Sequence, residues 1–328
     1  MLVVRAPFRI TLGGGGTDLP NWYKQHGGFL ISAAINKYIY LTGCERPFDK
    51  KIWLSYSKVE IKENVEEVEH EILKAVLQKY DLANGIEIHS ISDLPGKSGL
   101  GSSGSFSTAA CYLLNQLTRF QAPLKEVAEM ACHVEMVDLG RSSGKQDQYI
   151  STFGGISTLQ IDTNGSVDIN PLKLDAITSK MLCQNLLIYH SGISRSTIKL
   201  LKDQNDSLCK PGDNTKYMKK IQDIGFQSEK ALKMGDLNEF GKLLHEHWCI
   251  KQKFGKGMSS NFLNEIYDFG LDSGALGGKI MGAGGGGYFM FYVPEGLQGK
   301  FRRKMATQNF VELDWQFDHT GVTKVFGD

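Results

Sequence analysis

The sequence has no long apolar run and no excess of one charge. Its 328 residues carry a formal net charge of +1 at pH 7, and the charged residues are spread along the chain. The absence of a basic stripe or an acidic tail argues against nucleic acid or another highly charged partner. No apolar stretch approaches the roughly 20 residues that a membrane-spanning helix needs. We therefore expect neither a nucleic acid partner nor a membrane span.

Cysteine is sparse, and its spacing is uninformative. The 6 cysteines are scattered along the chain without a CxxC pair. The amino-terminal stretch MLVVRAPFRI reaches a charged residue too early for a secretory signal peptide. We therefore expect a reduced, cytoplasmic protein with buried thiols. The oligomeric state is left open, with a homodimer as one alternative.

Length and patterning predict a two-domain α+β protein. An apolar content of 41% in 328 residues is enough for a sizeable core, and the length favours two domains. Strand-like and helical segments are mixed without regular βαβ alternation, which favours α+β over a doubly wound sheet. The pattern changes from mixed to mostly helical near residue 180. We therefore predict domains at 1–180 and 181–328.

Several local patterns give testable secondary-structure predictions. Apolar residues at helical spacing predict helices over 65–80 and over 124–139. Segments rich in β-branched and aromatic residues predict strands over 183–192 and 311–317.

A glycine- and serine-rich stretch, LPGKSGLGSSGS at 94–105, stands directly before a helical run. A helix that begins near Ser103 or Gly104 presents unpaired N–H groups and the positive end of its dipole. The glycines remove side chains, so an anion can touch the backbone. Ser102, Ser103 and Ser105 add hydroxyls for phosphate oxygens or a metal. The stretch lacks the GK[ST] of a Walker loop, and a simple capped turn is the alternative.

A second glycine cluster lies near the amino terminus, in RITLGGGGTDLP at 9–20. Four consecutive glycines exceed what a two-residue hairpin turn requires. Such a loop lets a ligand lie against the main chain, with Asp18 accepting hydrogen bonds from hydroxyl groups. A tight hairpin with a solvated Asp18 is the alternative.

Glu135 stands out because it falls within the apolar stripe of the helix predicted over 124–139. A buried carboxylate is costly unless it is paired or binds a metal. Mg²⁺ prefers one or two carboxylates together with substrate phosphates. Glu135 is therefore a candidate Mg²⁺ ligand, with a paired structural glutamate as the alternative.

Two further stretches are candidates for the same site. GRSSGKQDQYIS at 140–151 places Arg141, Lys145 and Asp147 close together beside glycine. KIMGAGGGG at 279–287 predicts a close backbone approach, either by a partner loop or by a bound phosphate. The histidines of HEHW at 245–248 lie on different helix faces, so we do not expect a metal there.

Taken in order, APFRITLGGGGTD, PGKSGLGSSGS and KIMGAGGGG resemble the three motifs of the GHMP kinase superfamily. The resemblance covers nearly the whole chain. It implies a two-domain α+β fold with ATP and Mg²⁺ in the inter-domain cleft. The GGGGTDLP and GKQDQY forms are similar to kinases that phosphorylate the anomeric hydroxyl of a heptose 7-phosphate. Their product feeds the synthesis of nucleotide-activated heptose for surface polysaccharide. L-fucose- and galactose-type 1-kinases are the alternative.

The resemblance also implies roles for individual residues. Asp147 and Arg9 are the implied catalytic pair, and Ser103 and Glu135 are the implied Mg²⁺ ligands. The implied nucleotide-binding residues are Lys97, Ser98, Gly99, Leu100, Gly101, Ser102, Ser103, Gly104 and Ser105. The candidate substrate-binding residues are Gly15, Gly16, Thr17, Asp18, Arg141, Lys145, Arg195, Gly284 and Gly285. One departure is visible, since Gly104 stands where many family members have alanine.

Two other functions compete with a kinase. A non-catalytic sugar and nucleotide sensor on the same fold would require loss of Arg9, Asp147 or Glu135, and all three are present. A dinucleotide-binding oxidoreductase is disfavoured because the chain has no strand–GxGxxG–helix unit with an acidic residue about 20 residues further on.

Overall fold

A computed structural model describes residues 1–96, 98–193, 197–208, 212–254 and 260–327. These residues form one sheet of eight strands and one of three, with helices packed against both. The strands are β1 (Leu2–Gly13), β2 (Gly28–Glu45), β3 (Ile52–Ser55), β4 (Val59–Lys62), β5 (Ile86–Ser92), β6 (Ile156–Ile161), β7 (Val167–Pro171), β8 (Leu186–His190), β9 (Gly277–Ile280), β10 (Tyr288–Tyr292) and β11 (Thr323–Phe326). The helices are α1 (Pro20–His26), α2 (Glu71–Lys79), α3 (Ser102–Leu117), α4 (Leu124–His133), α5 (Gln146–Phe153), α6 (Ala176–Asn185), α7 (Thr197–Ser207), α8 (Asp213–Lys233), α9 (Leu237–Lys251), α10 (Asn261–Asp272) and α11 (Gln298–Thr307).

The large sheet is organised around β2. Its strand order is β11-β1-β2-β5-β3-β4, and β6 joins β2 to β7. β2 is 18 residues long, so it pairs with β1 on one side and with β6 and then β5 on the other. Phe8, Ile10 and Leu12 of β1 are fully buried in the core. Arg9 and Thr11 alternate with them and line a cavity, as the two-residue period of a strand requires.

The small sheet carries an aromatic core. Its strand order is β8-β10-β9, and all pairs are antiparallel. Phe289 and Phe291 of β10 stack at 5.4 Å between ring centroids and contact Trp248, Tyr267 and Phe301 from the covering helices. α9 packs on β9, and α8 packs on α9 and on the large sheet. The two helices therefore link the two sheets.

Helix α3 begins close to where the sequence predicts. Its N-cap is Gly101, whose φ of 86° lies in the left-handed region that glycine tolerates. The helix packs against β1 and β2 and against α2, α4 and α5. The helix predicted over 124–139 is confirmed as α4 followed by a π-helical turn, Val134–Asp138.

Three secondary-structure predictions need correction. The helix predicted over 65–80 is a short 3₁₀ turn, Val65–Glu67, followed by α2. The predicted strand over 183–192 begins only at Leu186, because α6 starts at an Asp175 cap that accepts a hydrogen bond from the Thr178 N–H and extends to Asn185. Residues 311–317 form only isolated bridges. Helix α1 was not predicted from the sequence.

The carboxyl-terminal strand returns to the first sheet. β11 pairs with β1, with Arg5 opposite Thr323. The boundary predicted between residues 180 and 181 falls inside α6 and stays a prediction. Within the described segments, every helix is too short or too polar to cross a bilayer.

Candidate active site

A cavity of about 320 Å³ lies between the amino end of α3, the loop after β1, residues 141–148 and the face formed by α9 and β9. The structure therefore brings together motifs that lie far apart in the sequence. The predicted site residues that line it are Arg9, Gly15, Gly16, Asp18, Gly99, Gly101, Ser102, Ser103, Glu135, Arg141 and Asp147.

Arg9 and Asp147 form an ion pair at this cavity. The Arg9 Nε donates to Asp147 Oδ1 at 2.7 Å, and Arg9 Nη1 donates to the Gly99 carbonyl oxygen at 2.8 Å. The Arg9 side chain is only 7% exposed, whereas that of Asp147 is 28% exposed. Arg9 therefore ties α5 to the glycine loop before α3 and fixes a carboxylate that still faces the cavity.

Gly104 allows this carboxylate to sit against α3. A Cβ atom added at Gly104 would lie 2.4 Å from the Cβ of Asp147, so α3 and α5 touch at this point. Gly104, the glycine that departs from the family pattern, is therefore the residue of α3 against which Asp147 packs.

Glu135 lies on the π-helical turn after α4 and points at α3. Its carboxylate accepts hydrogen bonds from the hydroxyls of Ser103 and Ser107 and from the Gln148 side-chain amide. Arg141 Nη1 donates to the Ser103 hydroxyl at 3.0 Å. Glu135 is 2% exposed, and burial raises the pKa of its carboxyl group above the ordinary value.

The pairing of Glu135 with Ser103 fits a divalent cation. Both groups offer oxygen ligands at the amino end of a helix, as Mg²⁺ prefers. Among the described residues, no group of three or more His, Cys, Asp or Glu side chains could hold a metal by itself. The other ligands of Mg²⁺ at this place would therefore come from substrate phosphates and water.

Asp18 belongs to the loop after β1. Its Oδ2 accepts a hydrogen bond from the Gln146 N–H at 3.1 Å. Gly144 makes room for it, since a Cβ there would lie 1.8 Å from Asp18 Oδ2. Burial raises the pKa of Asp18. The Gln146 side chain donates to the Thr11 hydroxyl at 2.6 Å, so two further polar groups border the same part of the cavity.

Some predicted ligand residues support the loops and do not line the cavity. The Thr17 hydroxyl lies 2.8 Å from the carbonyl oxygens of Gly14 and Phe29. The Ser105 hydroxyl donates to the Pro7 carbonyl, and Ser98 Oγ accepts from the Leu100 N–H. Gly104 and Leu100 are also buried away from the cavity wall.

Three other predicted substrate residues lie elsewhere. Lys145 Nζ bonds to Glu129 and to the Gly165 carbonyl and does not line the cavity, so we withdraw it as a substrate ligand. Gly284 and Gly285 adopt positive φ in the loop after β9 but do not line the cavity either. That loop approaches the backbone of the α3 entry at Gly282, which supports the partner-loop alternative. Lys97 and Arg195 lie outside the described residues.

The sequence analysis missed three basic residues on the cavity wall, His247, Lys251 and Lys279. Phe240, Leu244, His247 and Lys251 fall at 3–4-residue spacing on α9, and all four are buried. The helical-wheel argument that identified Glu135 would therefore have identified His247 and Lys251 as well. Lys279 opens the third glycine motif in the sequence, where only the glycines drew attention.

Comparison with known proteins assigns the chain to a class of small-molecule kinases. The family model described as "GHMP kinases N terminal domain" matches residues 62–155, and the model described as "GHMP kinases C terminal" matches residues 228–311. These regions span more than half of the chain, which therefore belongs to the GHMP kinases. The predicted two-domain α+β fold and the predicted class, an ATP-dependent phosphotransferase, are confirmed.

Individual relatives align with nearly the whole chain. The chain is 28% identical to D-glycero-alpha-D-manno-heptose 7-phosphate kinase of Campylobacter jejuni over 97% of each protein. A crystal structure of a D-glycero-D-manno-heptose 1-phosphate kinase from Bacteroides thetaiotaomicron superposes with a TM-score of 0.83 at 25% identity, covering 100% of both chains. L-fucokinase/L-fucose-1-P guanylyltransferase of Bacteroides fragilis is 24% identical over 93% of this chain but only 36% of that protein.

The buried state of Asp18 predicts a dependence of stability on pH. The unfolded carboxyl has a pKa near 3.8, and the folded protein holds this proton more tightly. The stability that the protonated Asp18 contributes is therefore complete below the pKa of the unfolded chain. It is lost as the pH rises from that pKa through the higher pKa of the folded protein. Asp18→Asn should have a higher Tm than the wild type at pH 7, and the difference should vanish below the unfolded value. Asp223→Asn, which alters an exposed carboxylate on α8, is the control in the same thermal melts; an equal gap in both variants would contradict the assignment.

The contact between α3 and α5 gives a second prediction. Gly104→Ala should push Asp147 out of place and lower kcat at least about tenfold, because small misplacements of reacting groups are costly. Gly299→Ala is the matched control, since a Cβ at this helical glycine meets nothing closer than the Arg303 guanidinium at 3.7 Å. Turnover is measured by ADP release, and a crystal structure of the variant locates Asp147. Unchanged kcat in Gly104→Ala would show that the close approach is not required.

Proposed function

We propose that the protein is an ATP-dependent sugar 1-kinase that converts D-glycero-D-manno-heptose 7-phosphate to the 1,7-bisphosphate. The observation that carries the proposal is the Arg9–Asp147 ion pair, which lies between the amino end of α3 and the Asp18 loop. The end-to-end similarity to the Campylobacter jejuni heptose 7-phosphate kinase supports the choice of sugar.

The amino end of α3 is the proposed site for the phosphates of ATP. Gly99 and Gly101 bare the backbone there, and Ser102 and Ser103 add hydroxyls at the first turn. The helix dipole and unpaired N–H groups favour an anion at this place. Arg141, which contacts Ser103 and Glu71, adds a positive charge on the same side.

Ser103 and Glu135 are the proposed protein ligands of Mg²⁺. When bound, the ion would neutralise charge on the transferring phosphates. The hydroxyls of Ser103 and Ser107 and the amide of Gln148 hold the Glu135 carboxylate in position, and Arg141 Nη1 lies 3.5 Å from Glu135 Oε2. A cation at the Glu135–Ser103 pair would share with Arg141 the compensation of this buried carboxylate.

Asp147 is the proposed acceptor of the proton from the sugar hydroxyl. Phosphoryl transfer depends mainly on positioning and charge stabilisation, so an oriented carboxylate is sufficient. The Arg9 Nε donates to one oxygen of this carboxylate and thereby fixes its orientation. On the acceptor side, Asp18, Thr11 and Gln146 offer the polar groups that would orient the sugar hydroxyls.

Replacement of the carboxylate tests this role. Asp147→Asn keeps the shape of the side chain but removes the base, so turnover should fall at least about 100-fold. Equilibrium binding of an ATP analogue should be nearly intact, because asparagine keeps the shape of the side chain and the groups proposed for the phosphates, at Gly99, Gly101, Ser102 and Ser103, are unchanged. Turnover close to that of the wild type would remove Asp147 from the mechanism, and a parallel loss of nucleotide binding would indicate a general collapse of the site.

A substrate panel with coupled ADP detection tests the choice of sugar. It compares D-glycero-D-manno-heptose 7-phosphate with L-fucose, galactose and mannose. Under the proposal, the heptose 7-phosphate has the highest kcat/KM by at least about tenfold, since a charged contact contributes roughly 1.5–3 kcal/mol. A preference for L-fucose or galactose would support the alternative 1-kinase. ADP release with none of the sugars would support the sensor alternative, which the joint presence of Arg9, Asp147 and Glu135 in the cavity disfavours.

A further inference from the structure

A group of basic side chains lies on the cavity wall formed by α9 and β9. His247 and Lys251 are four residues apart on α9 and therefore share one helix face. Lys279 projects from β9, which packs on that helix. The exposed fractions are 2% for His247, 6% for Lys251 and 2% for Lys279. We call these three residues the basic triad.

Within the described part of the chain, the two lysines of the basic triad form no ion pair with a carboxylate. Lys279 Nζ lies 3.3 Å from His247 Nδ1, and Lys251 Nζ donates to the Gly282 carbonyl oxygen. Across the described residues, neither ammonium group has a carboxylate oxygen within 4.0 Å. The segments of the chain that are not described contain no acidic residue other than Asp328. A buried charge without a partner is costly, so the arrangement is not explained by stability.

The third member of the triad is also incompletely bonded. His247 Nε2 is buried and has no hydrogen-bond partner among the described residues. Native proteins rarely leave such a buried atom without a hydrogen-bond partner unless a water, an ion or a ligand binds there or the atom has a function. The free ring nitrogen therefore indicates that an additional group fits against the triad.

Electrostatics agree with this geometry. Burial, and then the nearby charges of Lys251 and Arg9, lower the pKa of Lys279 well below its ordinary value. Burial lowers the pKa of Lys251 to about 8, with Arg9 adding to the shift and Asp18 opposing it. Burial, and then the nearby charges of Lys279 and Lys251, lower the pKa of His247 well below its ordinary value. An anion placed among these groups would favour their protonated forms.

We propose that the basic triad binds the phosphate group of a phosphorylated sugar acceptor. This inference rests on the proposed function and supplies the distal phosphate site that the heptose 7-phosphate requires. The triad takes the place of two residues that the sequence suggested for this phosphate. Lys145 is paired with Glu129, and Arg141 contacts Ser103 and Glu71 near the proposed nucleotide site.

The position of the triad favours the acceptor over ATP. The triad lines the same cavity as Arg9 and Asp18, the residues that border the proposed sugar site. The groups proposed for the nucleotide phosphates, Ser102 and Ser103, belong to the first turn of α3 and not to α9 or β9. A neutral sugar would leave the triad uncompensated, whereas a phosphate dianion would accept hydrogen bonds from all three side chains.

Replacement of a triad lysine by methionine tests the proposal. In Lys279→Met, the Kd for heptose 7-phosphate should rise about 10- to 100-fold, as expected for loss of a charged hydrogen bond. The KM for ATP should stay within about twofold. Lys242→Met is the matched control, since Lys242 is an exposed lysine on α9 whose side chain is 65% exposed and pairs with Glu239. It should change neither constant. Lys251→Met provides a second, independent variant with the same expected loss.

Thermal melts with inorganic phosphate test the site without turnover. Phosphate that binds the folded state raises Tm, so the wild type and Lys242→Met should be stabilised by millimolar phosphate at constant ionic strength. Lys279→Met should lose this shift. Its own Tm without phosphate should be equal or higher, because an unpaired buried amine is replaced by an apolar side chain. A large fall in Tm for both lysine variants would instead indicate a structural role and overturn the inference.

The outcomes separate this inference from the proposed function. If the wild type phosphorylates heptose 7-phosphate but the triad variants bind it normally, the inference is wrong and the function stands. If KM for ATP rises in step with the Kd for the sugar phosphate, the triad binds the nucleotide and the inference is also wrong. If no sugar is phosphorylated, the function fails, and the phosphate-dependent Tm shift still decides whether the triad binds phosphate.

Discussion

The site depends on one ion pair, between Arg9 and Asp147. Arg9 is held by the long pairing of β1 with β2, and its guanidinium reaches both the carboxylate on α5 and the carbonyl of Gly99. A single side chain therefore sets the spacing between the sheet, the glycine loop and the helix that carries the proposed base. Since α3 and α5 touch at Gly104, neither helix can move without disturbing this pair.

The sequence could predict the parts of the site that local physics dictates. Glycines before α3 and a carboxylate in the apolar stripe after α4 are visible as patterns, and Gly101 and Glu135 lie at the cavity. The family resemblance supplied the partnership of Arg9 with Asp147, which are 138 positions apart. No local pattern contains such a pairing, because it arises only when β1 and α5 are packed together.

Other features could not be read from single positions. Lys145 is two positions before Asp147 in the sequence. Its side chain nevertheless pairs with Glu129 of α4 and does not line the cavity. The spacing of the histidines in HEHW gave no indication of a metal site, so His247 was not considered further. In the structure it is buried beside Lys279 and lines the cavity. Helix α6 displaced the start of a predicted strand because its Asp175 cap outweighed the β-propensity that follows. In each case tertiary packing decided what side-chain chemistry alone left open.

The pairing of β11 with β1 has a consequence for how the chain acquires its structure. The strand that bears Arg9 has β2 on one side and, near its beginning, β11 on the other. Because Arg5 pairs with Thr323, the large sheet cannot be completed until residue 323 has left the ribosome. Contacts of such separation slow folding and expose strand edges in the meantime. Until β11 is available, the outer edge of β1 near Arg5 therefore lacks the strand that covers it in the folded protein.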